Sequence, residues 1–399
     1  VPDLSDTQVI IYSRWDRSPG IIEDQVTYPI VSAMLGAPKV KAVRGFSDFG
    51  YSFVYVIFEE GADIYWARSR TLEYLSGVLP SLPQGVKTEL GPDATGLGWI
   101  FQYALVDKSG KHSLADLRAC QDWYLRYHLK SVPGVAEVAP IGGFSKQYQV
   151  NVDPNRLQAY GLSIANVVDA VRGGNIETGG RLIEFGGAEY MVRGRGYAAS
   201  LADFENILLS SGEDGAPIRI KDIGKVVLGP DLRRGVADLD GTGEAVSGIV
   251  VMRQGQNALD VIERVKAKLQ QIAPGLPDGV FVTPVYDRSE LILRAIANLK
   301  TTLIEVVVVV ALVILLFLWH IPSALIPMIT IPTTVLLAFI PFQWMGVSAN
   351  IMSLGGIAIA VGAMVDAAIV VVEQTHKKLE EWEHGGRRED CQTVIVRAV

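Results

Sequence analysis

After residue 300 the chain turns almost wholly apolar in three successive stretches. They cover residues 301–319 (TTLIEVVVVVALVILLFLW), 324–345 (ALIPMITIPTTVLLAFIPFQWM) and 351–372 (IMSLGGIAIAVGAMVDAAIVVV), with links of four and five residues between them. Each is close to the ~20 residues that a helix needs to cross a hydrocarbon core. Buried helices of a soluble protein could carry the same side chains, but three in a row on such short links favour membrane spans. Pro327, Pro332 and Pro341 in the second stretch suit a membrane helix, whose neighbours re-satisfy freed backbone groups. Glu305 lies where it reaches the interface, and Trp319, His320 and Trp344 sit at span ends, as interfacial side chains do.

The basic residues set an orientation. Lys377, Lys378, Arg387 and Arg388 follow the third span, which puts that side and the short HIPS link in the cytoplasm. The 300 residues before the first span are then extracytoplasmic. Cys120 and Cys391 fall on opposite sides of the membrane and are not expected to pair. The chain opens on Val1 without a charged, apolar, cleavable leader and closes on QTVIVRAV, so it reads as an internal piece of a longer protein.

The extracytoplasmic region holds a repeat. Residues 62–90 (ADIYWARSRTLEYLSGVLPSLPQGVKTEL) and 257–285 (NALDVIERVKAKLQQIAPGLPDGVFVTPV) both read as a helix, a Pro-Gly turn and a strand. Each follows a strand-like run, YSFVYVIFEE and AVSGIVVMRQ. Helices also fit 20–35 and 113–130, after the strands TQVIIYSRW and WIFQYALVD. Two split βαβ, ferredoxin-like units are the expected product. Between them a segment with glycine pairs at 173–174, 179–180 and 186–187 and short strands such as KQYQVNVD and APIRIKDIGKVVL looks inserted, as for subunit contact. No GxxxxGK[ST] occurs, so the glycine pairs read as hairpin turns and not as a phosphate cradle.

Composition removes other classes. A net charge of −7 argues against nucleic-acid binding. Two cysteines without a CxxC, and five scattered histidines, exclude a thiolate zinc site and read as ordinary surface or interfacial residues.

Against that background Asp366 stands out as the one charged residue of the third stretch. An ionisable side chain within a span faces a bundle interior, has a partner and marks an ion or proton path; the bland alternative is a structural hydrogen-bonding acid. An apolar surround favours the proton-bound form of a carboxyl, which suits a proton carrier. Met352, Ile359, Asp366 and Glu373 are seven apart and drift only ~20° per step, so they share a helix face. Ala358, Gly362 and Asp366, four apart, make a groove of small residues that lets another helix approach. Glu373, at the cytoplasmic end beside His376 and Lys377, reads equally as an interfacial cap or as a relay member.

Several stretches together carry a family resemblance: GFSDFGYSFVYVIFEEGADIYWARSR, GVAEVAPIGGFSKQYQVNVDP, EYMVRGRGY, YDRSELI, FLWHIPSAL and above all NIMSLGGIAIAVGAMVDAAIVVVE. The chain resembles the resistance–nodulation–division exporters over essentially its whole length, in their heavy-metal branch, and the last motif is most similar to that of the copper/silver pumps. The resemblance implies an α+β membrane protein with tandem ferredoxin-like porter subdomains. Residues 1–95 would be the first porter subdomain, 96–142 and 233–296 the second, 143–232 an inserted docking subdomain, and 297–399 the transmembrane region and a cytoplasmic tail. It also implies a proton-driven antiporter without a resident cofactor, exporting Cu⁺ or Ag⁺ from the inner membrane. The assembly would be a homotrimer working with a periplasmic adaptor and an outer-membrane channel, and the partners of Asp366 would lie in later spans.

Divalent-cation pumps of the branch carry a second acid where this chain has Ala360, which favours Cu⁺ or Ag⁺. Among the seven methionines, Met352 and Met364 stand where copper/silver pumps place transient thioether ligands, and soft sulfur suits those ions. Plain packing is the alternative for both. Val371 and Leu232 replace methionines of that pattern, which leaves divalent cations open as the alternative cargo. A drug exporter of the same superfamily would call for a phenylalanine-rich cleft, and the twelve phenylalanines do not cluster in sequence. A receptor of the same fold would have no use for Asp366.

Overall fold

The computed structural model describes residues 5–211, 215–233, 235–318, 321–345, 351–386 and 390–398. Alternation in QVIIYSR sends Val9, Ile11 and Ser13 to one buried face of strand β1 (Gln8–Arg14). A helix in three pieces follows: α1 (Pro19–Ile22), a π turn (Glu23–Thr27) and α2 (Tyr28–Met34). The π turn aims Thr27 at the sheet, where its hydroxyl donates to Ser52 at 2.7 Å and meets Ser47 at 2.8 Å. Hairpin β2 (Val40–Asp48) and β3 (Tyr51–Phe58), helix α3 (Ile64–Val78) and strand β4 (Lys87–Leu90) complete the unit. The sheet order is β2-β3-β1-β4 with every neighbour antiparallel. β1 and β2 therefore run the same way with β3 between them, which is the split βαβ arrangement expected. Ile22, Val26, Ile30, Ala67 and Leu75 of the helices close over Val9, Ile11, Val54, Val56 and Phe58.

The second unit starts again with β5 (Trp99–Asp107), α4 (Leu114–Cys120), a π turn (Gln121–Leu125), α5 (Arg126–Lys130) and β6 (Val135–Ile141). Ser113 and Asp116 form a capping box at the start of α4. Its π turn again carries a buried polar residue, Gln121, which accepts the Tyr103 hydroxyl at 2.9 Å.

At the end of β6 the chain leaves for the inserted segment. Strand β7 (Lys146–Val152) leads to α6 (Pro154–Ala159), α7 (Ile164–Gly173), β8 (Thr178–Phe185), β9 (Ala188–Gly194), α8 (Leu201–Glu205), β10 (Leu208–Ser211), β11 (Pro217–Arg219), α9 (Ile220–Ile223) and β12 (Gly224–Pro230). β12 closes the insertion by pairing antiparallel with β7 along its whole length. Small cores around Phe204, Ile207, Ile220 and Val226 and around Leu157, Val167 and Ile223 hold it together. Two details differ from the sequence reading. APIRIKDIGKVVL is not one strand, because Asp222 accepts the Arg219 amide at 2.8 Å and turns 220–223 into a helical step between β11 and β12. Of the glycine pairs only 186–187 makes a hairpin turn, with φ of +63° and +78°; 173–174 ends α7 and 179–180 lies within β8.

The chain then resumes the interrupted unit with β13 (Ala237–Asp238), β14 (Glu244–Met252), α10 (Ala258–Ile272) and β15 (Val280–Asp287). β6-β14-β5-β15 repeats the order of the first sheet, with the insertion placed where the β2–β3 hairpin turn stands in the first unit. The repeat extends to detail. Asp63 caps α3 by accepting from the Trp66 amide at 2.8 Å, and Asn257 caps α10 by accepting from Leu259 at 3.0 Å. Gly85 of LPQGV and Gly279 of LPDGV both take the left-handed backbone, with φ of +87° and +83°.

Beyond β15 come α11 (Arg288–Leu318), α12 (Ile321–Trp344), α13 (Ile351–His384) and α14 (Cys391–Ala398). Two stretches are long and apolar enough to cross a membrane, Arg288–Val313 and Met352–His384, and α12 adds the shorter apolar stretch Met328–Trp344. Two of these helices outrun the apolar stretches that predicted them: α11 begins at Arg288 and α13 runs to His384. Hydropathy marks where lipid ends, whereas a helix ends where its backbone pairing does, and both extensions carry polar side chains that water can solvate. Trp319, His320, Arg387 and Arg388, which entered the sequence reading, lie outside the described residues.

Glycines give a two-sided test of the packing. A Cβ on Gly248 in β14 would lie 2.4 Å from the Tyr103 ring, whereas one on Gly77 in α3 meets nothing within 4 Å. Gly248→Ala should lower stability by about 1–3 kcal/mol through overpacking, and Gly77→Ala should raise it by about 0.5–1 kcal/mol. Denaturant melts of the purified protein measure both. A Gly248→Ala protein as stable as the parent would contradict the close packing of Tyr103 against β14.

Candidate functional site: the open face of the third apolar helix

Helix α13 has 34 residues and so spans about 51 Å. Its apolar part packs through one stripe only. Ile357, Val361 and Val365 are buried with Val310 of α11 and with Ile331 and Val335 of α12. Leu303, Val306, Phe339, Phe342, Met364 and Ile369 pack around that seam. The opposite stripe is open. Met352 is 66% exposed and Ile359 80% exposed, and Asp366 and Glu373 are exposed as well. The four seven-spaced residues therefore share one face, and it is the face turned away from α11 and α12.

The seam sets this orientation. Asp366 follows Val365 by one residue, about 100° around the helix, so burying Val365 turns the carboxylate out. Gly355, Gly356 and Gly362 belong to the same open side, where an added Cβ at each would meet nothing within 4 Å. Among the described residues no hydrogen bond or ion pair reaches Asp366. The face is thus a shallow channel of small side chains around one carboxylate, shaped to take another helix at close range. Glu373 stands two turns further on, past the buried Val372.

The two methionines are not brought together. Twelve residues separate Met352 and Met364, about 18 Å of rise and a third of a turn in direction. Met352 lies on the open face, while Met364 packs beside the seam. They could serve as successive stations but not as two ligands of one ion. Val371 is exposed near Asp366 and Leu232 is exposed beyond β12, far apart in sequence and in element. Among the described residues no three His, Cys, Asp or Glu side chains converge to hold a metal. Cys120 and Cys391 are both free thiols.

Two features take structural roles that the sequence did not announce. Every residue of the β8–β9 hairpin is exposed, including Phe185 at 77% and Met191 at 79%. Its signal was apolar residues on both faces of the alternation, in RLIEF and AEYMV, which a strand lying on a core does not need. The other is the YDRSELI motif, which forms the corner between β15 and α11.

Known proteins are similar to this chain in sequence and in structure. The chain is 57% identical over 385 residues to the cation efflux system protein CusA of Escherichia coli K12, covering 96% of this chain and 37% of CusA. It is 39% identical over 396 residues to the cobalt-zinc-cadmium resistance protein CzcA of Cupriavidus metallidurans, covering 97% and 37% of the two chains. A crystal structure of a heavy metal efflux pump superposes on all of this chain and on 39% of its own, with a TM-score of 0.87 at 33% identity. The chain thus spans a little over a third of the length of the relatives it matches. The family model of AcrB, AcrD and AcrF matches residues 1–397. Matched by that model over nearly its whole length, this chain belongs to the AcrB/AcrD/AcrF family.

Proposed function

We propose that this chain is the porter and first membrane part of a proton-driven exporter of Cu⁺ or Ag⁺ in the inner membrane. The observation that carries the reading is Asp366, the one acid of an apolar stretch, held on the open, glycine-lined face of α13. An ionisable side chain within such a stretch marks a proton path, and a partner on an approaching helix would complete it. The proton changes the charge on the face where α13 meets its next neighbour, and this biases the packing of the helices. Glu373 is the companion acid at the cytoplasmic end. Higher identity to CusA than to CzcA supports a monovalent cargo, as does Ala360 in place of a second acid. Met352 is an exposed soft ligand on the proton-carrying face and Met364 a second station one third of a turn away.

The pump works as a homotrimer with a periplasmic adaptor and an outer-membrane channel, and it needs no resident cofactor. The β8–β9 hairpin supplies the contact between subunits, since its Leu182, Ile183, Phe185 and Tyr190 are each left more than half exposed by their own chain. A divalent cargo is the second reading, and Val371 and Leu232, standing in place of thioethers, are what favour it.

Restoring the full-length gene to a copper- and silver-sensitive host tests the assignment. Asp366→Asn should return resistance to the level of the empty host while membrane-inserted protein stays unchanged; retained resistance would discard the relay. Protection against zinc but not silver by the unaltered gene would replace the monovalent cargo by a divalent one.

The methionines are judged separately. Met352→Ile should lower silver resistance at equal expression, and Met364→Ile should do so less, because isoleucine fills the seam but removes sulfur. Full resistance in both variants would return both side chains to packing.

A further inference from the structure

The corner formed by Tyr286, Asp287, Arg288 and Ser289 lies outside the candidate site and is tied by several hydrogen bonds and an ion pair. β15 ends at Asp287 and α11 starts at Arg288, so no loop separates sheet from membrane helix. The last pairs of the strand, Tyr286 with Gln102 and Asp287 with Phe101, hold the corner to β5. Asp287 caps α11: its Oδ1 accepts from the Ser289 amide at 2.9 Å and from the Ser289 hydroxyl at 2.6 Å. Its Oδ2 is paired with Lys266 Nζ of α10, and that ammonium also donates to Ser289 Oγ at 3.2 Å. Arg288 reaches the other way and donates to the Leu97 carbonyl in the turn before β5. Ser289 is only 4% exposed and the Asp287 side chain 11%.

Each tie ends on a part of the second unit that cannot move alone. Lys266 follows Val265 on α10, whose Val261, Ile262 and Val265 are buried against Phe101, Leu105 and Val250. Leu97 belongs to the short helical turn that runs straight into β5. The first turn of α11 is therefore held by β15 through the backbone, by α10 through Lys266, and by the approach to β5 through Arg288. Burial raises the cost of charge on Asp287, but the Lys266 and Ser289 hydrogen bonds outweigh it and keep the carboxyl below its usual range. A half-buried ion pair with three hydrogen bonds is stiff, and removing its cation leaves a carboxylate unpaired where water reaches it poorly.

We propose that Lys266, Asp287 and Ser289 form a clamp that makes α11 and the second sheet unit one rigid lever. A tilt of α11 in the membrane then swings that unit as a whole and is not absorbed at the corner. The far part of this lever packs on α13 through Val310, in the same buried seam as Val361 and Val365, which fix Asp366. These are positioning residues; none of them touches metal or proton. The proposal rests on the exporter reading for its purpose, though not for its geometry.

Full-length protein in lipid nanodiscs and in proteoliposomes provides the test. Spin labels at Gln270 on α10 and Ile304 on α11, both exposed, report the angle at the corner. The parent and Lys266→Arg should give one narrow distance distribution, and Lys266→Ala a broadened one. In proteoliposomes the maximal rate of silver export by Lys266→Ala should fall about fivefold or more, as for loss of a coupling free energy. The half-saturating silver concentration should not change, and Lys266→Arg should restore the rate. Ser289→Ala, which keeps the ion pair, should show a smaller change in the same two readouts. A narrow distribution in Lys266→Ala overturns the clamp, and a parental export rate in a broadened Lys266→Ala overturns its coupling role. Absence of silver export by the parent would overturn the exporter reading alone, with the distances still deciding the clamp.

Discussion

The aliphatic seam between α11, α12 and α13 decides what the rest of the membrane region presents. Ile331 and Val361 are almost completely enclosed there, with Val310, Val335, Ile357 and Val365 around them. Branched side chains interdigitate well at such a seam, and one helix face can serve it at a time. Once Val361 and Val365 are inside, the glycines and Asp366 must be outside. The carboxylate is thus aimed by residues that never touch it.

The part before α11 answers a different constraint. A four-stranded antiparallel sheet with two helices on one face buries a core and leaves the other face available, and the chain builds it twice. An insertion is cheapest at a hairpin turn, where no sheet pairing is lost, and that is where residues between β6 and β13 depart and return. β7 and β12 pair side by side, so the inserted segment closes on itself and hands the chain back close to where it left. The same economy appears at β15, where the strand becomes α11 without a loop and the second unit is joined directly to the membrane.

Much of this could be read in advance. LPQGV and LPDGV marked equivalent turns because both require a left-handed glycine at the same step, and the backbone has it at Gly85 and Gly279. The alternation in β1, β5 and β14 announced strands, and the three apolar stretches announced helices. Strands β2 and β6 were not announced, because Val40–Asp48 is mostly exposed or half-buried and β6 carries Pro140, so pairing partners and not pattern make them strands. The helical step at 220–223 was hidden for a related reason, as a single capping contact from Asp222 overrides β-prone neighbours.

For the candidate site, sequence by itself determined which residues are exceptional: a lone acid in an apolar run, small residues four apart from it, and a face repeating every seven positions. These follow from helix periodicity and the cost of charge in lipid, which need no partner to be known. Only the tertiary structure decided which way that face turns, because the direction is set by the volume of Val361 and Val365 against α11 and α12. It alone parted Met352 from Met364, and it alone brought Lys266 to Asp287 across 21 positions of sequence. Long-range pairs of this kind are fixed by how strands and helices pack, and no local pattern records them.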